Sequence, residues 1–173
     1  RDLAKVLDVR EDDRLLGFLP PFHSFGLTGT MVAPLLLGLR TVYHANPTEA
    51  LVLTRLIRGY GVTILIGTPT FLSGVLRAAE PRWLSSVRIA VTGAEKCPPR
   101  TYQAFAERCA QATVLEGYGV TECSPVVSVN RLDDPRPGTI GKVLPSFEYA
   151  VVDVDTGKPV EPGQRGMLLV RGP

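Results

Sequence analysis

The run Val62-Thr63-Ile64-Leu65-Ile66-Gly67-Thr68-Pro69-Thr70-Phe71-Leu72-Ser73-Gly74-Val75-Leu76-Arg77-Ala78-Ala79 decides the fold. Its first five residues are apolar or β-branched without a regular polar alternation, which marks a strand buried on both faces. Thr68-Pro69 then opens a helix, with threonine as the N-cap acceptor and proline at the first helical position, where a missing N–H costs nothing. Phe71, Leu72, Val75, Leu76 and Ala79 recur at helical spacing and give that helix one apolar face. A doubly buried strand followed by an amphipathic helix is the repeating unit of a parallel sheet covered by helices.

Working outward, the unit repeats. Further strands are expected at 15–19, 41–44, 87–91 and 113–115. Asn46-Pro47-Thr48-Glu49 reads as an N-cap, a proline at N1 and a carboxylate at N3, ahead of a face made by Leu53, Leu56, Ile57 and Tyr60. After Pro98-Pro99 the helical period returns in Tyr102, Phe105, Ala106 and Cys109. The longest uncharged stretch, residues 24–39, is shorter than the roughly 20 apolar residues of a membrane span. It reads as a buried helix, kinked or interrupted at Pro34. From Val126 the pattern changes to short strands and turns, including Val151-Val152-Asp153-Val154, Asp155-Thr156-Gly157-Lys158 and residues 167–170.

The 173 residues suffice for one sizeable core. With 19 basic and 17 acidic side chains scattered among one another, the net charge is only +2. That balance gives no reason to expect a nucleic-acid or membrane-surface partner. Cys97, Cys109 and Cys123 are odd in number and form no C-x-x-C pair, which argues against a disulfide framework or thiolate zinc site and suits a reducing, cytoplasmic setting. They read as small apolar filler, Cys123 also as a thiol beside a site. Arg1-Asp2-Leu3-Ala4-Lys5 does not lead into the apolar core of a signal peptide.

Chemistry concentrates in Leu115-Glu116-Gly117-Tyr118-Gly119-Val120-Thr121-Glu122. Glycines on both sides of Tyr118 let backbone approach a flat ligand while the ring offers a stacking face for a purine. Thr121 can hydrogen-bond a phosphate oxygen, and Glu122 is a hard oxygen ligand suited to Mg²⁺. A glycine turn with no ligand is the competing reading. A dinucleotide fingerprint is excluded, because Glu122 occupies the third glycine position and would repel pyrophosphate. Thr92-Gly93-Ala94 and Gly117-Tyr118-Gly119 both follow carboxyl ends of expected strands, where open α/β sheets bind ligands. His23, at another strand end, reads either as a structural residue or as a site residue; His44 reads as structural.

In order and spacing, Pro20-Pro21-Phe22-His23-Ser24-Phe25-Gly26, Val91-Thr92-Gly93-Ala94-Glu95-Lys96, the 115–122 run, Pro137-Gly138-Thr139-Ile140-Gly141-Lys142 and the run from Gly163 to Pro173 resemble the adenylate-forming superfamily of acyl-CoA synthetases, luciferases and peptide-synthetase adenylation domains. The stretches 21–28, 93–96 and 115–130 together look like the acyl-[acyl-carrier-protein] synthetases fused to 2-acylglycerophosphoethanolamine acyltransferases, with long-chain acyl-CoA synthetases next. The resemblance implies an α/β fold: a doubly wound, mostly parallel, flavodoxin-like subdomain over 1–125 and a β-rich annex over 126–173, together a piece of a larger N-terminal domain. It implies ATP and Mg²⁺ as cofactors, a fatty acid as substrate and acyl carrier protein as acceptor, with CoA as the alternative. It places adenine between the backbone of Gly93, Ala94 and Glu95 and the tyrosine of Gly117-Tyr118-Gly119, the nucleotide phosphate at Thr121, the metal at Glu122 and the substrate carboxylate at His23. Where some long-chain synthetases carry a gating tryptophan, this chain has Leu27.

The superfamily's phosphate loop, its ribose-binding aspartate and its lysine-bearing C-terminal domain have no counterpart in these residues. The chain by itself is therefore expected to be inactive, and the parent to work in the cytoplasm or at the cytoplasmic face of the inner membrane. No G-x-x-x-x-G-K-[ST], G-x-S-x-G or H-x-x-x-x-D pattern is present, which sets aside P-loop, serine-hydrolase and acyltransferase chemistry here. The rival reading is a non-catalytic nucleotide- or acyl-binding relative.

Overall fold

The strand within residues 62–79 lies in the middle of the parallel strands: Ile64 and Leu65 are buried on opposite faces of one sheet. The computed structural model describes residues 2–172. Among them β1 (Arg14–Gly17), β2 (Arg40–Tyr43), β3 (Ile64–Gly67), β4 (Ile89–Thr92), β5 (Thr113–Gly119), β6 (Val126–Val129) and β7 (Lys142–Val143) form a sheet in the order β2-β1-β3-β4-β5-β6-β7. The first five are mutually parallel, with Leu15 opposite Ile64, Ile64 opposite Ile89 and Ile89 opposite Thr113. The 2-1-3-4-5 order reverses between β1 and β3, which makes the fold doubly wound and flavodoxin-like.

Helices α4 (Ala50–Tyr60), α5 (Pro69–Ala78) and α6 (Pro99–Arg108) pack side by side on one face. Right-handed crossover puts the β1-to-β2 connection on the other face, since that connection steps the opposite way along the sheet. It comprises α2 (Ser24–Gly26), a π-helical segment (Leu27–Val32) and α3 (Ala33–Leu37), and the π segment crosses β1. The remaining helix, α1 (Asp2–Val6), precedes β1. Beyond the parallel core, β6 and β7 continue the same sheet antiparallel, while β8 (Glu148–Val152) and β9 (Met167–Arg171) form a separate hairpin.

Four local expectations are corrected. First, β5 does not end at Leu115; it runs to Gly119, because Gly117 and Tyr118 gain antiparallel partners in Val129 and Ser128, with a bulge before Gly119. Second, the helical stretch beginning at Ser24 passes Pro34 unbroken. In an α-helix the N–H of residue 34 would serve the Thr30 carbonyl; the Tyr43 hydroxyl donates to that carbonyl instead, at 2.8 Å. The irregularity is the wide π turn just before, and the helix is not buried all round: Leu35 and Leu36 are about 80% exposed. Third, α4 starts at Ala50, because Asn46 accepts from the Thr48 N–H in a local turn and also holds Glu49. Fourth, Ala106 faces solvent; the inward face of α6 is Thr101, Phe105 and the capping Cys109. The cap on α5 matches its sequence signal, with Thr68 Oγ1 accepting from the Phe71 N–H.

At the amino ends of the strands, Asp13 is 1% exposed. It accepts from the Arg10 N–H, Thr63 Oγ1 and Arg88 Nε and is ion-paired to the Arg88 guanidinium. Burial pushes its carboxyl upward, but the bonds from Arg88, Thr63 and Arg10 outweigh that and hold it below the usual carboxylate range. A lowered folded-state value means stability present above the unfolded value of about 4 and lost as pH falls through the folded one. Asp13→Asn is expected to cost about 3 kcal/mol at pH 7, since it strands Arg88. The gap to the native protein should shrink below about pH 4, measured by urea denaturation across pH.

Candidate functional site

A cavity of about 380 Å³ opens at the carboxyl ends of the parallel strands, under the π segment. That is the crevice a doubly wound sheet offers beside its switch point. Gly93 and Gly117 bring β4 and β5 close at the rim: a Cβ on Gly93 would lie 3.1 Å from the Gly117 carbonyl oxygen. Gly119 is tighter, since a Cβ there would fall 2.1 Å from the Pro125 carbonyl oxygen. Ala94 adopts a left-handed backbone (φ +64°), which turns the loop sharply away from β4.

His23, Gly93, Ala94, Gly117, Tyr118, Gly119, Thr121 and Glu122 all line this cavity. Topology explains the convergence, for they follow β1, follow β4, or belong to the second half of β5 and the turn after it. Tyr118 is 39% exposed. Thr121 and Glu122 sit exposed in a single 3₁₀ turn, and Thr121 Oγ1 lies 3.0 Å from Ser24 Oγ, so two hydroxyls meet across the mouth. His23 Nδ1 accepts from the Phe25 N–H at 3.2 Å. That bond fixes the tautomer: the neutral ring carries its proton on Nε2 and offers a donor at the rim. Glu95 departs from the group. Its carboxylate accepts from Thr70 Oγ1 at 2.7 Å, so only its backbone shares the loop with Gly93 and Ala94. His44 pairs with Glu49 at 2.8 Å, away from the cavity.

Deeper in, the walls are apolar. Leu15, Ile64, Ile66 and Val91 come from one sheet face, Leu37 and Leu39 from the end of the crossover, and Leu3, Leu7 and Val9 from the amino-terminal segment. A polar mouth over an apolar interior suits an amphiphilic guest.

Among the described residues, no group of three or more His, Cys, Asp or Glu side chains is placed to hold a metal ion. Glu122 could therefore serve only as a single carboxylate ligand to an ion that brings its other oxygens with it, which is how Mg²⁺ binds with substrate phosphates. The cysteines offer no nucleophile in the core: burial pushes the Cys97 and Cys109 thiols up to about 11, the Glu116 carboxylate adding to the effect at Cys97.

Three further residues escaped the sequence reading. Ser24 and Phe25 line the mouth, and Glu116 is a buried carboxylate whose oxygens accept from the Cys97 N–H at 3.1 Å and the Tyr102 hydroxyl at 2.9 Å. A carboxylate inside a strand, between Leu115 and Gly117, was the available signal.

The chain matches the AMP-binding enzyme family over residues 2–173. It is 32% identical over 176 residues to a long-chain-fatty-acid–CoA ligase of Bacillus subtilis, covering 98% of this chain and 31% of that protein. It is 36% identical over 159 residues to the long-chain-fatty-acid–CoA ligase of Escherichia coli O157:H7, covering 90% and 28%. A solved structure of O-succinylbenzoate coenzyme A synthetase from Bacillus subtilis, in complex with ATP and magnesium ion, superposes with a TM-score of 0.84 at 25% identity over 99% of this chain and 35% of that one. The chain thus spans about a third of the length of these relatives.

Proposed function

We propose that this chain, which belongs to the AMP-binding enzyme family, is the nucleotide- and acyl-binding part of a ligase that activates fatty acids with ATP and Mg²⁺. One observation carries the reading: a single cavity joins a rim of glycine backbone, Tyr118, Thr121, Glu122 and His23 to an apolar interior. The Tyr118 ring stacks on adenine against the backbone of Gly93, Ala94 and Glu95. Gly117 and Gly119 let that strand approach the ligand, and the Thr121 hydroxyl donates to a phosphate oxygen. Glu122 would hold Mg²⁺, which when bound would offset charge on the triphosphate.

His23 Nε2–H steadies the substrate carboxylate as one of its oxygens attacks the α-phosphorus. The new O–P bond forms as the bond to pyrophosphate breaks, leaving an acyl-adenylate. The sulfur of a thiol then bonds to the acyl carbon as the C–O bond to AMP breaks, AMP leaves and the thiol proton passes to solvent. The residues supply position and electrostatic complementarity rather than covalent chemistry. The thiol is assigned first to acyl carrier protein; CoA is the second reading, favoured by the names of the long-chain relatives. The residues after 125 are read as a β-rich unit beside the α/β part; the separate β8–β9 hairpin supports this, whereas β6 and β7 belong to the main sheet. In the described residues no helix is long and apolar enough to cross a membrane. Attachment to the cytoplasmic face of the inner membrane, and a role in phospholipid remodelling through a fused acyltransferase, belong in this reading to the full-length parent.

The test is ATP–pyrophosphate exchange with fatty acid and Mg²⁺. The full-length parent is expected to exchange, the isolated 173-residue chain to stay at blank, and His23→Ala in the parent to lose about 100-fold, within the range for one positioned donor. A parent that binds ATP but never exchanges would favour the non-catalytic reading. Thioester formation with carrier protein against CoA separates the two acceptors.

A further inference from the structure

The loop that closes one side of the mouth is fastened at both ends to a single residue. At its start, Thr92 stands in register with Glu116 across the β4–β5 pair, and Gly93 leaves the sheet immediately after. At its finish, the Cys97 N–H donates to one Glu116 carboxylate oxygen at 3.1 Å. The other oxygen accepts from Tyr102 in the first turn of α6, at 2.9 Å. The Glu116 carbonyl in turn accepts from the Asn130 backbone N–H (2.9 Å) and Nδ2 (3.1 Å), and Asn130 also binds the Thr139 carbonyl and the Arg136 N–H. Glu116 is 4% exposed, lies outside the cavity wall, and directly precedes Gly117 and Tyr118.

We infer that Glu116 is a positioning residue for nucleotide binding: its carboxylate sets the gap between the Gly93–Lys96 loop and the Tyr118 ring by anchoring Cys97 and Tyr102. The geometry favours this over simple core filling. A filler would need volume alone, whereas here one oxygen holds the finish of the loop that carries Gly93 and Ala94, the other holds α6, which begins just beyond that loop, and the same residue's backbone carbonyl holds Asn130. The Ala94 turn has φ +64°, so a loop released at Cys97 has a left-handed residue free to relax toward ordinary backbone. Relaxation would move Gly93 and Ala94 away from Tyr118 while leaving the apolar interior, built mainly from β1, β3, the crossover and the amino-terminal segment, in place.

The inference rests on the nucleotide reading of the mouth, and the experiment separates the two. In the full-length parent, ATP with Mg²⁺ is titrated against the native protein, Glu116→Gln, Glu116→Leu and Tyr102→Phe, and fatty-acid KM is measured alongside. Glu116→Gln keeps an acceptor for the Cys97 N–H and should bind ATP within about threefold of native. Glu116→Leu keeps the volume but removes both acceptors, and should weaken ATP about tenfold or more with fatty-acid KM little changed. Tyr102→Phe, which leaves Cys97 anchored, should fall between them and guards against a Glu116→Leu protein that does not fold. Native-like ATP binding in Glu116→Leu or, should that variant not fold, in Tyr102→Phe overturns the inference, as does an equal loss for ATP and fatty acid. A native parent that binds no ATP overturns the nucleotide reading itself.

Discussion

Gly119→Ala is expected to destabilise the protein by about 3 kcal/mol or more, read as a lower urea midpoint at unchanged m. The added Cβ would meet the Pro125 carbonyl oxygen at 2.1 Å and its carbon at 2.7 Å, both backbone atoms of the turn joining β5 to β6. A side chain could rotate away; this turn can yield only by opening the pairing that holds Tyr118. Gly59→Ala is the control. Gly59 is exposed within α4 and has nothing within 4 Å of its would-be Cβ, so alanine there should stabilise by about 0.5–1 kcal/mol through backbone entropy. Equal effects from the two substitutions would show that the close approach at Gly119 is not real.

Glu122→Gln is expected to lower adenylation by the full-length parent about 100-fold while leaving its folding stability unchanged. The side chain is exposed in a short turn, so an amide fits in the same space and no core contact is lost. What disappears is the negative charge that a hard divalent ion selects. Raising Mg²⁺ should restore part of the rate. Stopped-flow or exchange kinetics over a Mg²⁺ series decide the matter; near-native rates at low Mg²⁺ would remove Glu122 from the metal site.

Legibility in the sequence followed the range of the interactions. The parallel core was readable because each strand and helix carries its own pattern: the 62–66 run and the Thr68-Pro69 cap were both recovered near their positions. The true length of β5 was not, because its second half exists only through β6, which begins seven residues beyond Gly119 and pairs backward across Pro125. Pro34 misled for the same reason, since the group that excuses it is the hydroxyl of Tyr43 on a different strand. At the mouth, residues from three separate stretches were named from their motifs, and the fold brings His23, Gly93, Ala94, Tyr118, Thr121 and Glu122 to one cavity. Glu95 illustrates the limit: a motif can assign a backbone position without saying where the carboxylate turns, and here it turns to Thr70. Glu116 lay in full view within the most informative octapeptide, yet its partners are 14 and 19 residues away and only the sheet register introduces them.

The split character of β5 also fixes an order of events at the ribosome. Synthesis delivers β1 through β4 first, and the residues 113–116 can zip onto β4 as soon as they emerge, because their partners are already outside the exit tunnel. Gly117 and Tyr118 must wait for Val129 and Ser128, and β6 in turn for β7 at Lys142 and Val143. The second half of β5 therefore sets after the parallel strands, and a nascent chain whose residues have left the exit tunnel only as far as about residue 120 would have β1 to β5 available to pair while Gly117 and Tyr118 still lack their partners.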